Sequence, residues 1–113
     1  LSTDFSENRG KLLENAVAVE MFRRRVECFY YKGRRECDFI VKRGTKPEAA
    51  VQVCWELTPK NEAREFRGLR EAMNALAIEE GFILTNEAER ELTFEGARIR
   101  ILPVWKWLCT GIP

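Results

Sequence analysis

Acidic and amide side chains alternate along two consecutive apolar segments, where they could hold a metal ion. Glu36 and Asp38 lie two residues apart in the first segment, and Gln52 and Cys54 lie two residues apart in the second. Because strand side chains alternate between faces, each pair is predicted to share a face, and antiparallel pairing would bring Asp38 beside Gln52. Glu14, on a predicted helix, could reach the same edge. Hard oxygen donors of this kind suit Mg²⁺ or Mn²⁺, with water and a substrate phosphate completing the coordination.

The same carboxylates could instead have a purely structural role. Buried carboxylates on adjacent strands often form ion pairs with arginine. Four arginines are available as partners: Arg34, Arg35, Arg43 and Arg64. The spacing of the residues leaves both a metal site and ion pairing open.

The composition excludes several classes of protein. The chain has 113 residues and a formal charge of +1, which argues against a strongly basic or acidic tail. It has no histidine, which excludes serine–histidine and cysteine–histidine hydrolysis and zinc sites built on imidazole. It contains neither a P-loop motif nor a G-x-G-x-x-G motif. No apolar run approaches the roughly 18 residues of a membrane helix, so we expect no membrane contact.

Length and cysteine usage predict one cytoplasmic domain. A chain of this length can bury its own core, so residues 1–113 are interpreted as a single domain. The cysteines lie in apolar stretches without C-x-x-C spacing: Cys28, Cys37, Cys54 and Cys109. We expect reduced core thiols in a cytoplasmic protein, with one disulfide or a metal site as alternatives. Because the sequence starts at Leu1 and not at Met, we also expect a domain excised from a longer chain, with a processed N-terminus as the alternative.

Periodicity and turn residues predict the order α-β-β-β-α-β, followed by a small β-β-α extension. The predicted elements are a helix over 6–25, strands over 26–32, 35–43 and 49–57, a helix from Thr58-Pro59 to Gly81, strands over 82–85, 92–94 and 98–102, and a short helix or turn over 104–109. Gly10 is unusual inside a helix, where it costs about 1 kcal/mol relative to alanine. It indicates either a helix start near Lys11 or another group close to the backbone.

Several motifs resemble those of the PD-(D/E)XK nuclease-like fold, specifically the C-terminal domain found in archaeal AAA-type ATPases. The similar segments span nearly the whole chain and are residues 10–15, 35–39, 51–54, 64–65, 81–85 and 101–108. The resemblance implies an α/β domain with a restriction-endonuclease-like αβββαβ core, a mixed central sheet and a small C-terminal extension. It also implies an ATPase portion in the same chain.

The resemblance implies roles for individual residues. In active members of the wider superfamily, such as archaeal Holliday-junction resolvases and RecB-like nucleases, the positions of Glu14 and Asp38 and a third-strand acid hold a divalent metal that activates water. A lysine two residues after that acid helps position the nucleophile and offsets negative charge. In this chain those last two positions are Gln52 and Cys54.

These two departures predict a degenerate, non-catalytic nuclease-like module that serves contact with nucleic acid or protein. The neutral Gln52 would bind a cation more weakly, and the Cys54 thiol supplies no fixed positive charge at pH 7. One alternative is an active metal-dependent DNA endonuclease or resolvase with a migrated cation from Lys42, Lys60 or Arg64. A second alternative is a structural domain that forms homo-oligomers.

A basic surface is predicted where the first helix meets the following hairpin. Its members are Arg23, Arg24, Arg25, Arg34 and Arg35, which could contact DNA phosphates. Phe29, Tyr30 and Tyr31 could stack on bases beside them. Ordinary solvation of the helix end and common strand-forming residues are the alternative interpretation. Trp105 and Trp107 are expected either to cover the core or to meet the ATPase portion.

Overall fold

The computed structural model describes residues 2–110, with side chains from residue 7 onward. Its helices are α1 (Ser2–Arg23), α2 (Glu62–Leu76) and α3 (Val104–Thr110). Its strands are β1 (Cys28–Lys32), β2 (Glu36–Arg43), β3 (Lys46–Val53), β4 (Glu80–Thr85), β5 (Arg90–Phe94) and β6 (Ala97–Pro103). The predicted order of elements is confirmed.

One mixed sheet of six strands forms the centre of the domain, in the order β1-β2-β3-β4-β6-β5. The neighbours β1, β2 and β3 pair antiparallel, whereas β3, β4 and β6 pair parallel. Helix α2 provides the long crossover that a parallel β3–β4 pair requires. Strand β5 forms an antiparallel edge on β6. The prediction of an α/β domain with a mixed central sheet is therefore confirmed.

Helices cover both faces of the sheet. Leu69 and Met73 of α2 pack with Ile83 of β4 on one face. On the other face, Met21 of α1 and Trp107 of α3 share a second cluster of apolar side chains. Because both faces are buried, the central strands carry nearly continuous apolar runs and not an alternating pattern.

The predicted start and the predicted end of strand β3 are both wrong. Strand β3 starts at Lys46 and not at residue 49, since Gly44, with a φ of 64°, closes the hairpin in the left-handed region that glycine accepts without strain. Strand β3 also ends at Val53, before the predicted end at residue 57. After Val53 the chain moves away from β2, and the Cys54 amide donates to Leu84 of β4.

The predicted boundaries of the helices also need correction. Helix α2 begins at Glu62 because Thr58 and Asn61 form a separate turn, in which the Asn61 side chain accepts a hydrogen bond from the Thr58 amide. It ends well before Gly81, since Ala77 adopts a left-handed φ of 55°. Helix α1 begins at Ser2, so Gly10 lies inside it.

Gly10 has neither of the two predicted causes. It lies within α1, and no atom of the described side chains would come within 4 Å of a Cβ built on it. Both the late helix start and the close approach were therefore wrong.

The predictions for the cysteines and tryptophans are confirmed only in part. All four cysteines are free thiols, but only Cys37 and Cys54 are buried, whereas Cys28 and Cys109 are exposed. Trp107 covers the core, while Trp105 is 61% exposed. Within residues 2–110, no helix has the length and hydropathy needed to cross a membrane.

Candidate functional site

A bulge in β2 lies next to Asp38. Phe29 of β1 pairs with Ile40 and Tyr31 pairs with Cys37, so β2 advances three residues where β1 advances two. Cys37 and Ile40 accordingly contribute to the same core cluster beneath α2. The extra residue interrupts the strict alternation of side chains between Cys37 and Ile40. Bulges of this kind commonly redirect a side chain or end strand pairing next to functional sites.

Where β2 and β3 separate, hydrogen bonds that involve side chains replace those between the two backbones. The Asp38 amide donates to Gln52 Oε1 at 3.0 Å, and Gln52 Nε2 donates to the Glu36 carbonyl at 3.0 Å. The Val53 amide donates to Asp38 Oδ2 at 2.8 Å. Asp38 and Gln52 are therefore adjacent, as the sequence predicts, and both are tied to the backbone of the neighbouring strand.

Gln52 lies on the face of the sheet that α2 covers. It alternates with Ala50 and Cys54, which pack in the cluster beneath α2. A Cβ built on Gly68 of α2 would lie 2.8 Å from Gln52 Nε2, which places Gln52 on the same face.

An open cleft of about 730 Å³ lies over this junction. Three elements contribute charged side chains to it: Lys11 and Glu14 from α1, Arg34 and Arg35 from the β1–β2 turn, and Arg64 and Glu65 from α2. Asp38 and Gln52 form part of its lining. The structure thus brings Glu14, Asp38 and Gln52 around one cleft.

Burial dominates the ionisation of the acidic groups in the cleft. It raises the pKa of Asp38 to about 7, and the carboxylates of Glu14, Glu65 and Glu36 add to this, while the Val53 amide opposes it. Burial likewise raises the pKa of Glu65, although the adjacent Arg64 works in the other direction. Burial thus shifts both acids toward their neutral forms relative to carboxyl groups in water.

Cys54 provides a neutral thiol at the position of the implied lysine. Its side chain packs in the core beneath α2. Burial raises its pKa to about 11, and its Sγ donates to the Glu56 carbonyl at 3.1 Å. Asn61 Nδ2 donates to the same sulfur at 3.6 Å. The thiol is protonated and hydrogen-bonded at neutral pH, so it carries neither a positive nor a negative charge.

The donor set does not fit a tightly held divalent metal. Across the part of the chain that the structure describes, no three Asp, Glu or Cys side chains converge with metal-binding geometry. The Gln52 oxygen already accepts the Asp38 amide, and one Asp38 oxygen accepts the Val53 amide. A hard cation would therefore compete with hydrogen bonds for two of the three predicted ligands.

The three candidate cations occupy different places. Lys42 lies at the far end of β2, next to Phe22 and Val26 of another depression. Lys60 lies in the turn before α2, where its amide donates to Thr58 Oγ1. Arg64 lines the cleft, is 74% exposed and pairs with Glu65 at 3.3 Å. Only Arg64 among these three borders the cleft, and its observed partner is a carboxylate.

Four of the five predicted nucleic-acid-binding arginines border two different depressions. Arg34 and Arg35 line the cleft, whereas Arg23 and Arg25 border a depression at the C-terminus of α1. Strand β1 lies between the two groups along the hairpin, and each strand residue adds roughly 3.3 Å. Binding of nucleic acid by all five arginines together stays a prediction.

Two residues of the cleft were not predicted as site residues, although Glu65 lies in the segment 64–65 that carries the resemblance. Glu65 is the buried acid of α2, with only 14% of its side chain exposed. Gly68 lies one turn further along α2, where a Cβ would be 2.5 Å from the Glu36 carbonyl oxygen. A buried acid and a glycine on the apolar side of an amphipathic helix are the signals that could have identified them.

The geometry defines the class of protein. It is an α/β domain with a charged cleft at the junction of β2, β3 and two helices. Residues 9–107 match the family described as "Domain of unknown function (DUF4143)", and the chain belongs to that family. It is also similar to the uncharacterized protein MJ1544 of Methanocaldococcus jannaschii, with 32% identity over 120 positions. This similarity covers 96% of the chain and 27% of the relative, so the chain spans about a quarter of the relative's length. No solved structure matches the chain significantly.

Proposed function

We propose that this domain is a degenerate nuclease-like module with a restriction-endonuclease-like core, carried by a longer chain that also holds an ATPase portion. Its cleft has lost catalysis and serves contact with nucleic acid or protein. The order α-β-β-β-α-β and the position of Asp38 and Gln52 at the junction of β2 and β3 support this proposal.

The hydrogen bonding of Gln52 carries the proposal. Its carboxamide uses the oxygen to accept the Asp38 amide and the nitrogen to donate to the Glu36 carbonyl. A carboxylate has no N–H to donate to that carbonyl, so the site suits an amide and not the acid of an active nuclease. The residue that would complete a metal site therefore acts as a structural bridge between β2 and β3.

The environment of Cys54 gives independent support. An active site of this type requires a cation near the attacking water, and loss of one preorganised transition-state contact costs a rate factor of about 10²–10³. The Cys54 thiol has a pKa raised to about 11 and is neutral. Arg64 is paired with Glu65 and does not replace the missing charge as it stands.

The direct test is a cleavage assay with supercoiled and branched DNA in the presence of Mg²⁺ or Mn²⁺. We expect the wild-type domain to nick DNA no more than the Asp38→Asn variant does. This variant keeps the size of the side chain and a hydrogen-bond acceptor for Val53. Nicking by the wild-type domain that disappears in Asp38→Asn would overturn the proposal.

The active endonuclease remains the second candidate, favoured by one specific observation. Carboxyl groups from α1, β2 and α2 surround the same cleft, namely those of Glu14, Asp38 and Glu65. In this alternative those carboxyl groups would bind the metal, and Arg64 would move to supply the cation that is missing at Cys54. Metal-dependent nicking that also required Arg64 would establish this second function.

The proposed ATPase portion would contact apolar surface that this domain leaves exposed. Phe22 of α1 is 83% exposed and Trp105 of α3 is 61% exposed, and both helices lie on the same face of the sheet. The alternative of a structural homo-oligomer would use the same surface.

A further inference from the structure

We propose that the phosphate backbone of a nucleic acid lies along one side of α2, on a basic surface that excludes the end of α1. This α2 arginine surface consists of Arg34, Arg35, Arg64, Arg67 and Arg70. The inference rests on the nucleic-acid form of the proposed function and names the residues that make the contact.

Two neighbouring depressions form a continuous track through Arg35. The cleft described above is bordered by Arg34, Arg35 and Arg64. A second depression of about 380 Å³ is bordered by Arg35, Arg67 and Arg70. Because Arg35 borders both depressions, a bound nucleic-acid strand could pass from one to the other and remain in contact with arginine side chains.

Three of these guanidinium groups are exposed and available to a ligand. Arg34, Arg35 and Arg67 are exposed, and none of them forms an ion pair with a carboxylate among the side chains described from residue 7 onward. Arg64 has its contact with Glu65 at 3.3 Å, and Arg70 donates to the Glu95 carbonyl at 3.1 Å. Exposed ion pairs contribute only about 0–1 kcal/mol, so a phosphate can displace or supplement them.

Three acidic groups of the track are held against the fold, whereas Glu7, Glu36 and Glu95 border it as exposed side chains. Glu71 accepts hydrogen bonds from the Tyr31 hydroxyl at 3.0 Å and the Arg35 amide at 3.2 Å, which hold its carboxylate against the β1–β2 turn. Asp38 and Glu65 lie deeper in the cleft, where burial favours their neutral forms. A phosphate approaching from solvent therefore meets the exposed arginines before the carboxyl groups of Asp38 and Glu65.

Two of the three arginines at the end of α1 are engaged in contacts within the fold. Arg23 and Arg24 both pair with Glu20. Arg24 also lies over the Trp107 ring, 5.7 Å from its centroid, and donates to the Leu108 carbonyl of α3. Binding a phosphate there would compete with contacts that fasten α1 to α3, so this region is the poorer phosphate site.

The spacing along α2 suits a polymer of phosphates. Arg64, Arg67 and Arg70 follow one another every three residues, a rise of roughly 4.5 Å per step along the helix. This rise is comparable to the roughly 3.4 Å per phosphate along one strand of duplex DNA, so the three arginines span about three phosphates. Guanidinium groups bind phosphate oxygens through paired N–H donors.

The test is fluorescence anisotropy with a labelled DNA duplex at several low salt concentrations. We expect Arg35→Ala/Arg67→Ala to weaken binding about tenfold or more and to reduce the slope of log K against log salt by about two. Both side chains are exposed, so the variant should unfold in urea at the wild-type midpoint. The matched control is Arg23→Ala/Arg25→Asn, which also removes two cations and places asparagine at the left-handed position 25, where it is tolerated.

The control variant should bind the duplex like the wild-type protein. Equal weakening in the two variants, unchanged binding by Arg35→Ala/Arg67→Ala, or no binding by the wild-type protein at low salt would each overturn the α2 arginine surface. None of these results depends on cleavage, whereas metal-dependent nicking would overturn the proposed loss of catalysis and leave this surface intact.

Discussion

The Asp38 carboxyl group lies in an environment that favours its neutral form. Burial and the carboxylates of Glu14, Glu65 and Glu36 raise its pKa from 3.8 to about 7. The Val53 amide, which donates to Asp38 Oδ2 at 2.8 Å, only partly offsets this effect. Ionisation of Asp38 therefore disfavours the folded state.

This raised pKa predicts a pH-dependent effect of Asp38→Asn. In the wild-type protein the folded pKa exceeds the unfolded value, so stability is lost as the pH rises from about 4 through about 7. Asparagine keeps an acceptor for Val53 and removes the charge. Relative to wild type, the variant should gain about 2–3 kcal/mol in free energy of unfolding between about pH 5 and pH 8.

Urea unfolding at the two pH values measures this gain. The control is Glu91→Gln, on the exposed surface of β5, where no comparable gain should occur. A difference between Asp38→Asn and wild type that stays constant across the pH range would show that Asp38 ionises normally.

At the scale of the element, α2 packs directly on the backbone of β2 through Gly68. A Cβ at this position would lie 2.5 Å from the Glu36 carbonyl oxygen and 2.8 Å from Gln52 Nε2. The same carbonyl accepts the Gln52 side chain, so the close packing of α2 and the bridge between β2 and β3 share one group. The position of the cleft floor therefore depends on a glycine in the helix.

Alanine substitution at two helical glycines distinguishes the effect of this close packing on the free energy of unfolding from the effect of helix propensity. Gly68→Ala should lower the free energy of unfolding by about 1–3 kcal/mol, because α2 must move away from β2. Gly10→Ala in α1 is the matched control and should raise it by about 0.5–1 kcal/mol, since no described side chain obstructs a Cβ there.

Chemical denaturation of the two variants gives both values. If Gly68→Ala were as stable as Gly10→Ala, the direct contact between α2 and the Glu36 backbone would be ruled out.

The sequence predicts the elements better than it predicts how they join. The apolar runs of β2 and β4 and the amphipathic stripe of α2 depend on local periodicity, so they could be read from one chain. The bulge at Asp38 could not, because it arises from the pairing of β2 with β1. The start of α2 was missed because Thr58 and Asn61 form their own hydrogen-bonded turn.

At the scale of the whole molecule, the sequence correctly placed Asp38 beside Gln52 but did not show that the predicted arginines border different depressions. The first result follows from adjacent antiparallel strands, whose neighbours in space are fixed by a short hairpin. The second depends on where α1 ends relative to the β1–β2 turn. Arg23 lies at the end of a helix of 22 residues, and Arg35 lies beyond the far end of β1. Such distances are set by tertiary packing and not by local sequence.

The molecule as a whole presents a cleft in which the residues expected to serve catalysis make contacts within the fold. Gln52 bridges two strands, Cys54 is a neutral core thiol, and burial raises the pKa of Asp38 to about 7. The outer surface of the same region is cationic. These features together favour a domain that holds a partner over one that performs hydrolysis.

Titration calorimetry with Mn²⁺ tests this central claim most directly. The account predicts no saturable uptake of Mn²⁺ by the wild-type domain at neutral pH, and the same heats for Asp38→Asn as for the wild-type protein. One-site binding by the wild-type domain that is lost in Asp38→Asn would contradict the account, because it would show that the cleft still holds a metal.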